Sequence, residues 1–117
     1  MTRANRRSRP DRPTLSSARL RALLDEALVD SYGDSEQAMA LFTMMEEHLA
    51  VPFTTRILGV DAEVVGVGMT DEEEIVGLCR RGRERARISI LDLSLPKPPP
   101  DGWEWIEAYR TWKRPRS

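Results

Sequence analysis

The chain has 117 residues, 40% hydrophobic and 32% charged, with one Cys, one His and a formal net charge of −1. That composition excludes a wholly disordered chain, an intramolecular disulfide and a Cys-rich zinc site, and no run of 18 apolar residues marks a transmembrane helix. The small total conceals sorted charge: the first 13 residues carry net +4, residues 14–79 carry 13 acidic against 3 basic side chains, and residues 80–117 carry net +5.

Residues 1–13 are rich in Arg, Ser and Pro and lack an apolar pattern, which predicts a disordered leader. The folding unit is then one domain over 14–113, followed by a tail over 114–117. Leu20, Leu23, Leu24, Ala27 and Leu28 recur at i, i+3, i+4, i+7 and i+8, predicting a helix from Ser16 or Ser17 to Tyr32. Gly33 suits its C-terminal cap, and Asp34 with Gln37 three residues on suits the N-terminus of a second helix. That helix presents Ala38, Leu41, Phe42, Met45 and Leu49 on one side and stops at Val51-Pro52. The short hinge predicts a helical corner or hairpin.

Beyond Pro52 the period changes. Residues 53–58, 62–69, 75–81 and 86–91 are short, rich in Val and Ile, and separated by turn residues, predicting a strand meander. Gly66 and Gly68 fall on one side of their strand, which permits coiling or close approach of another element. Strands this few and short fit a small SH3-like antiparallel barrel, with Leu93-Ser94-Leu95 as a candidate fifth strand. The Pro-rich run Lys97 to Gly102 reads as an extended linker. Trp105, Ile106, Tyr109 and Trp112 then recur at helical spacing and predict a short C-terminal helix over about Trp103 to Lys113.

Carboxylates bunch at two breaks in the apolar pattern. Asp30, Asp34 and Glu36 bracket Gly33, and Asp71, Glu72, Glu73 and Glu74 fill a turn between strands. Oxygen ligands at loop positions are what a hard cation requires, but neither cluster has the twelve-residue EF-hand spacing, because Ile75 and Val76 stand where that loop needs a polar ligand and a Gly. Two simpler readings stay open. Asp34 and Glu36 serve as helix N-terminal charges, and the second cluster is a solvated acidic turn. Arg80, Arg81, Arg83, Arg85 and Arg87 surround a predicted hairpin that suits phosphate, a protein partner or the domain's own acids. No aromatic residue is interleaved with them, which disfavours nucleic acid. His48 is the sole His, beside Glu46 and Glu47, and Cys79 reads as a core strand residue. With no nucleophile–base pair and no phosphate loop, no reaction class assembles, so the chain is not read as an enzyme.

The runs Val29-Asp30-Ser31-Tyr32-Gly33-Asp34-Ser35-Glu36-Gln37-Ala38-Met39, Met45-Glu46-Glu47-His48-Leu49 and Val51-Pro52-Phe53 resemble the opening of the CcbP-type bacterial calcium-binding family, which binds calcium without EF-hands. The resemblance continues through Val64-Val65-Gly66-Val67-Gly68-Met69 to Ile106-Glu107-Ala108-Tyr109-Arg110-Thr111-Trp112. It implies an α+β fold with two N-terminal helices, a small barrel and a short C-terminal helix. It also implies a cytoplasmic calcium buffer or sensor whose ions meet Asp30, Asp34, Glu36 and the Asp71–Glu74 cluster. The chain departs from the pattern in its Arg80–Arg87 series, its Arg-rich leader and Ser35 within the hinge. On this reading the protein is a monomer that takes calcium ions, has room for a protein partner and does not engage a membrane. The alternative is an SH3-like interaction module that binds a protein or nucleic-acid partner through its Arg-rich hairpin.

Overall fold

A computed structural model describes residues 13–114. The expected disordered leader, apart from its last residue, and the final three residues of the expected tail lie outside the described residues. Three helices and a four-stranded antiparallel sheet form an α+β fold in the order α1 (Ser17–Leu28), α2 (Asp34–His48), β1 (Phe53–Ile57), β2 (Val60–Met69), β3 (Ile75–Arg81), β4 (Glu84–Ser89) and α3 (Glu104–Lys113). Among the described residues no helix is long and apolar enough to cross a membrane.

The Ser16 hydroxyl caps α1 by accepting the Arg19 N–H at 3.1 Å. The helix ends at Leu28, a turn before the expected Tyr32. Val29 and Tyr32 are both exposed, so nothing buries a further helical turn. In α2 the expected stripe is realised: Ala38, Leu41 and Met45 are buried, and the Leu49 N–H closes the helix on the Met45 carbonyl at 2.9 Å.

The sheet is a meander with strand order β1-β2-β3-β4. Phe53 and Thr55 of β1, Ala62 and Val64 of β2, and Ile75 and Cys79 of β3 point inward. The β2–β3 register steps between Val64 and Gly66, so a bulge bends β2 at its first glycine. The Leu78 side chain lies over both glycines, and a Cβ at Gly68 would stand 3.3 Å from it. This is the close approach that the glycine pair predicts.

Leu93-Ser94-Leu95 is not a strand, and a 3-10 turn over Ile90–Asp92 carries the chain off β4. Ser94 nevertheless reaches β1. Its hydroxyl accepts the Arg56 N–H at 3.1 Å and lies 3.2 Å from the Thr55 hydroxyl, so the sheet curls back on itself by side-chain contact.

The core joins all layers: Leu23 of α1, Leu41 and Met45 of α2, Val64, Ile75 and Cys79 of the sheet, and Trp105, Ile106, Ala108 and Tyr109 of α3. The Tyr109 hydroxyl accepts the Ile75 N–H at 3.0 Å inside it, tying α3 to the first residue of β3. Glu107, also buried, takes the Arg110 guanidinium at 3.3 Å, and Arg110 donates onward to the Leu91 carbonyl at 3.2 Å.

The linker before α3 docks on the end of α2. The Ala50 N–H donates to the Asp101 carbonyl at 2.8 Å, and Gly102 adopts φ +86° with its back against the His48 carbonyl. A Cβ there would overlap that carbonyl in a conformation L-residues avoid. Gly102→Ala is therefore expected to cost about 2 kcal/mol or more, read as a lower urea midpoint at unchanged slope.

Candidate metal centre

The hinge between α1 and α2 is acidic because both helix ends place carboxylates there. Asp34 and Glu36 lie in the first turn of α2, where they complement the positive end of the helix dipole. Gly33 at φ 97°, rather than Asp34, occupies the N-cap, and no side chain caps the helix at that position. Glu36 instead reaches back, its Oε1 accepting the Tyr32 N–H at 2.8 Å. The expected Asp34–Gln37 pairing is thus displaced, and Gln37 Oε1 accepts the Trp112 indole N–H at 2.8 Å.

The second cluster occupies a tight turn. The Thr70 N–H donates to the Glu74 carbonyl at 3.0 Å, and the Thr70 hydroxyl accepts the Glu74 N–H at 3.1 Å. Glu73 takes the left-handed conformation, φ 67°, which costs a non-glycine residue about 1 kcal/mol. Asp71, Glu72 and Glu73 are exposed.

These two regions, far apart in sequence, meet. The Ser35 hydroxyl donates to Glu73 Oε2, placing the hinge beside the turn. Ser35, a departure from the family pattern within the hinge, is the residue that joins the two clusters. A hydroxyl at the second position of a helix, facing outward among acids, was the available signal. The carboxylates do not converge on one point. Among the described residues no three His, Cys, Asp or Glu side chains gather closely enough to hold a metal ion between them.

Glu74 is separate from its three neighbours. It is partly buried, accepts the Ser89 hydroxyl at 2.9 Å and pairs with Lys113 Nζ at 2.5 Å. Burial by itself would raise its carboxyl. The hydrogen bonds from Lys113 and Ser89, with the ammonium charge, outweigh that and hold it below the usual carboxylate range. The same hydrogen bond raises Lys113, which also sits 5.7 Å from the centre of the Tyr109 ring.

The Arg series lies elsewhere. β3 leaves the acidic turn at Ile75 and ends at Arg81, so the hairpin at Gly82 is at the other end of the sheet, roughly 20 Å away by strand rise. Arg80 pairs with Glu63 at 2.9 Å across β2–β3, and Arg56 with Asp61 at 3.1 Å. Among the described residues Arg81, Arg83, Arg85 and Arg87 have no carboxylate at salt-bridge distance. His48 stacks on Trp105, ring centres 6.0 Å apart, and its Nε2 lies 4.0 Å from Glu47. Cys79 is buried, and burial pushes its thiol up.

A helical pair joined by an acidic hinge, an antiparallel meander and a closing helix define an α+β protein of the CcbP type in fold. The structure is similar to the crystal structure of Anabaena CcbP, with a TM-score of 0.71 and 18% sequence identity over 85% of this chain and 92% of that chain. No protein-family model matches the sequence, and neither does any curated protein.

The Glu74–Lys113 pair makes stability depend on pH in a defined window. Glu74 is lowered in the folded state, so its contribution is present above the unfolded carboxyl value and lost as pH falls through the folded one. Lys113 is raised, so its contribution is present below the unfolded ammonium value and lost as pH rises through the folded one. Thermal melts of Glu74→Gln against the parent should differ most between about pH 5 and pH 10 and converge in acid. Both groups are partly exposed, so the difference should stay near about 1 kcal/mol.

Proposed function

We propose that this protein is a noncatalytic calcium-binding protein of the cytoplasm, a buffer or sensor that takes the ion where the hinge meets the acidic turn. The observation that carries this reading is the Ser35–Glu73 hydrogen bond, which sets Asp34 and Glu36 beside the turn of Asp71, Glu72 and Glu73. Lys113, the cation nearest that turn by its contacts, is held by Glu74. The Arg hairpin at Gly82 is at the far end of the sheet, so its guanidiniums do not neutralise the exposed carboxylates of the turn.

The donor set is oxygen throughout, which selects a hard ion over zinc or copper. Calcium suits it better than magnesium, because exposed carboxylates spread over two loops supply a flexible shell rather than a tight octahedron. Asp30, Asp34, Glu36, Asp71, Glu72 and Glu73 are the residues that would hold the ion, with Glu74 fixing the turn through Lys113. Since no three of these side chains are gathered in advance, water completes the shell and affinity is modest. The chain's similarity in fold to Anabaena CcbP and the sequence resemblance support the same reading.

Thermal melting during calcium titration tests the proposal. At about a hundred times the dissociation constant, binding should add about 2.7 kcal/mol of stability. Sodium chloride at matched ionic strength should not reproduce the shift. Asp71→Asn/Glu73→Gln and Asp34→Asn/Glu36→Gln should each abolish it. An equal response to simple salt, or to calcium after both pairs are replaced, overturns the reading.

A further inference from the structure

The end of the sheet away from the acidic turn is hollow. Cys79 stands opposite Ala86 across β3–β4, and Ala62 stands opposite Thr55 across β1–β2. Small side chains at Ala62, Cys79 and Ala86 do not fill the inner face of the curled sheet. They leave a solvent-open cavity of about 520 Å³ whose rim carries Arg81 and Arg85. Leu58 and Val60 continue the apolar floor outward at the β1–β2 turn, and they are 98% and 41% exposed.

We propose that this cavity is a docking site for an acidic peptide segment of a partner protein that inserts one apolar side chain. The site is separate from the calcium reading and does not depend on it. Charge complementarity fixes the occupant's sign. Arg80, Arg81 and Arg85 line the cavity; Arg80 is paired with Glu63, Arg81 and Arg85 have no carboxylate at salt-bridge distance among the described residues, and Glu84 is the single acid on the rim. Guanidiniums present a planar fork that matches carboxylates. The first twelve residues of the chain, with five Arg and one Asp, share the rim's sign and do not complement it.

The floor fixes the rest of the chemistry. It is aliphatic, with no aromatic lining residue on which a base would stack, so it suits an aliphatic anchor rather than a nucleic acid. The volume falls within the range of natural ligand clefts. The cavity also spans from β1 to β4, the two edges of the sheet.

Fluorescence anisotropy on the full chain tests this, with a dye-labelled peptide of Asp and Glu residues around one central Leu and a matched peptide carrying Ser in its place. The Leu peptide should bind at least about tenfold more tightly, equally with millimolar calcium or a chelator. Arg81→Gln/Arg85→Gln, at exposed positions, should weaken it about tenfold, and so should Ala86→Leu, which fills the cavity without altering charge. Melting curves establish that each variant is folded. Equal affinity for the two peptides, which marks general counter-ion attraction, overturns the proposal. So does tighter binding of a single-stranded oligonucleotide, or no binding of the Leu peptide at millimolar concentration.

Discussion

The bond from the Ile75 N–H to the Tyr109 hydroxyl is where the helical and sheet layers lock together. It satisfies a buried backbone donor at the first residue of β3, a central strand, with a side chain from the last helix. A buried amide left without a partner costs about 1–3 kcal/mol, so the contact fixes where α3 can sit. Everything else on α3 follows from that placement. Trp112 stacks beside Tyr109 and donates to Gln37 of α2, while Lys113 reaches Glu74 at the mouth of the acidic turn. The acidic hinge and the acidic turn thus share a neighbour in α3 as well as the direct Ser35–Glu73 contact.

This arrangement turns charge sorted along the chain into charge sorted in space. Strand β3 separates the acidic turn from the Arg hairpin by roughly 20 Å, more than twice the screening length of about 8 Å at physiological ionic strength. The two ends therefore act nearly independently in solution. Among the described residues the ion pairs are local: Arg80–Glu63 and Arg56–Asp61 bridge neighbouring strands, Arg110–Glu107 lies within α3, and Lys113–Glu74 ties α3 to the acidic turn.

Much of the fold was legible because it rests on periodicity. The stripes of α2 and α3, the β3 strand over 75–81 and the tolerance of Gly66 and Gly68 for a close neighbour all follow from local patterns. What was not legible depended on distant partners. α1 stops early because Val29 and Tyr32 have nothing to bury them, and Gln37 serves Trp112 rather than a helix cap. Leu93–Leu95 closes the sheet through the Ser94 hydroxyl instead of a strand. At the candidate site the sequence shows two clusters of acids but not their meeting, since a single hydroxyl joins residues 38 positions apart. Nor does it distinguish Glu74, which Ser89 and Lys113 hold, from the exposed Glu73, which Ser35 reaches.

The exposed setting of the hinge and turn carboxylates has an evolutionary corollary. Asp30, Asp34, Glu36, Asp71, Glu72 and Glu73 make no contribution to the buried core, whose members are drawn from other positions. At Asp30, Asp71 and Glu72, which lack the hydrogen bonds that Glu36 and Glu73 make, substitutions should leave stability within about 0.5 kcal/mol. Selection can therefore add or remove charge at this end of the molecule one residue at a time without disturbing the architecture.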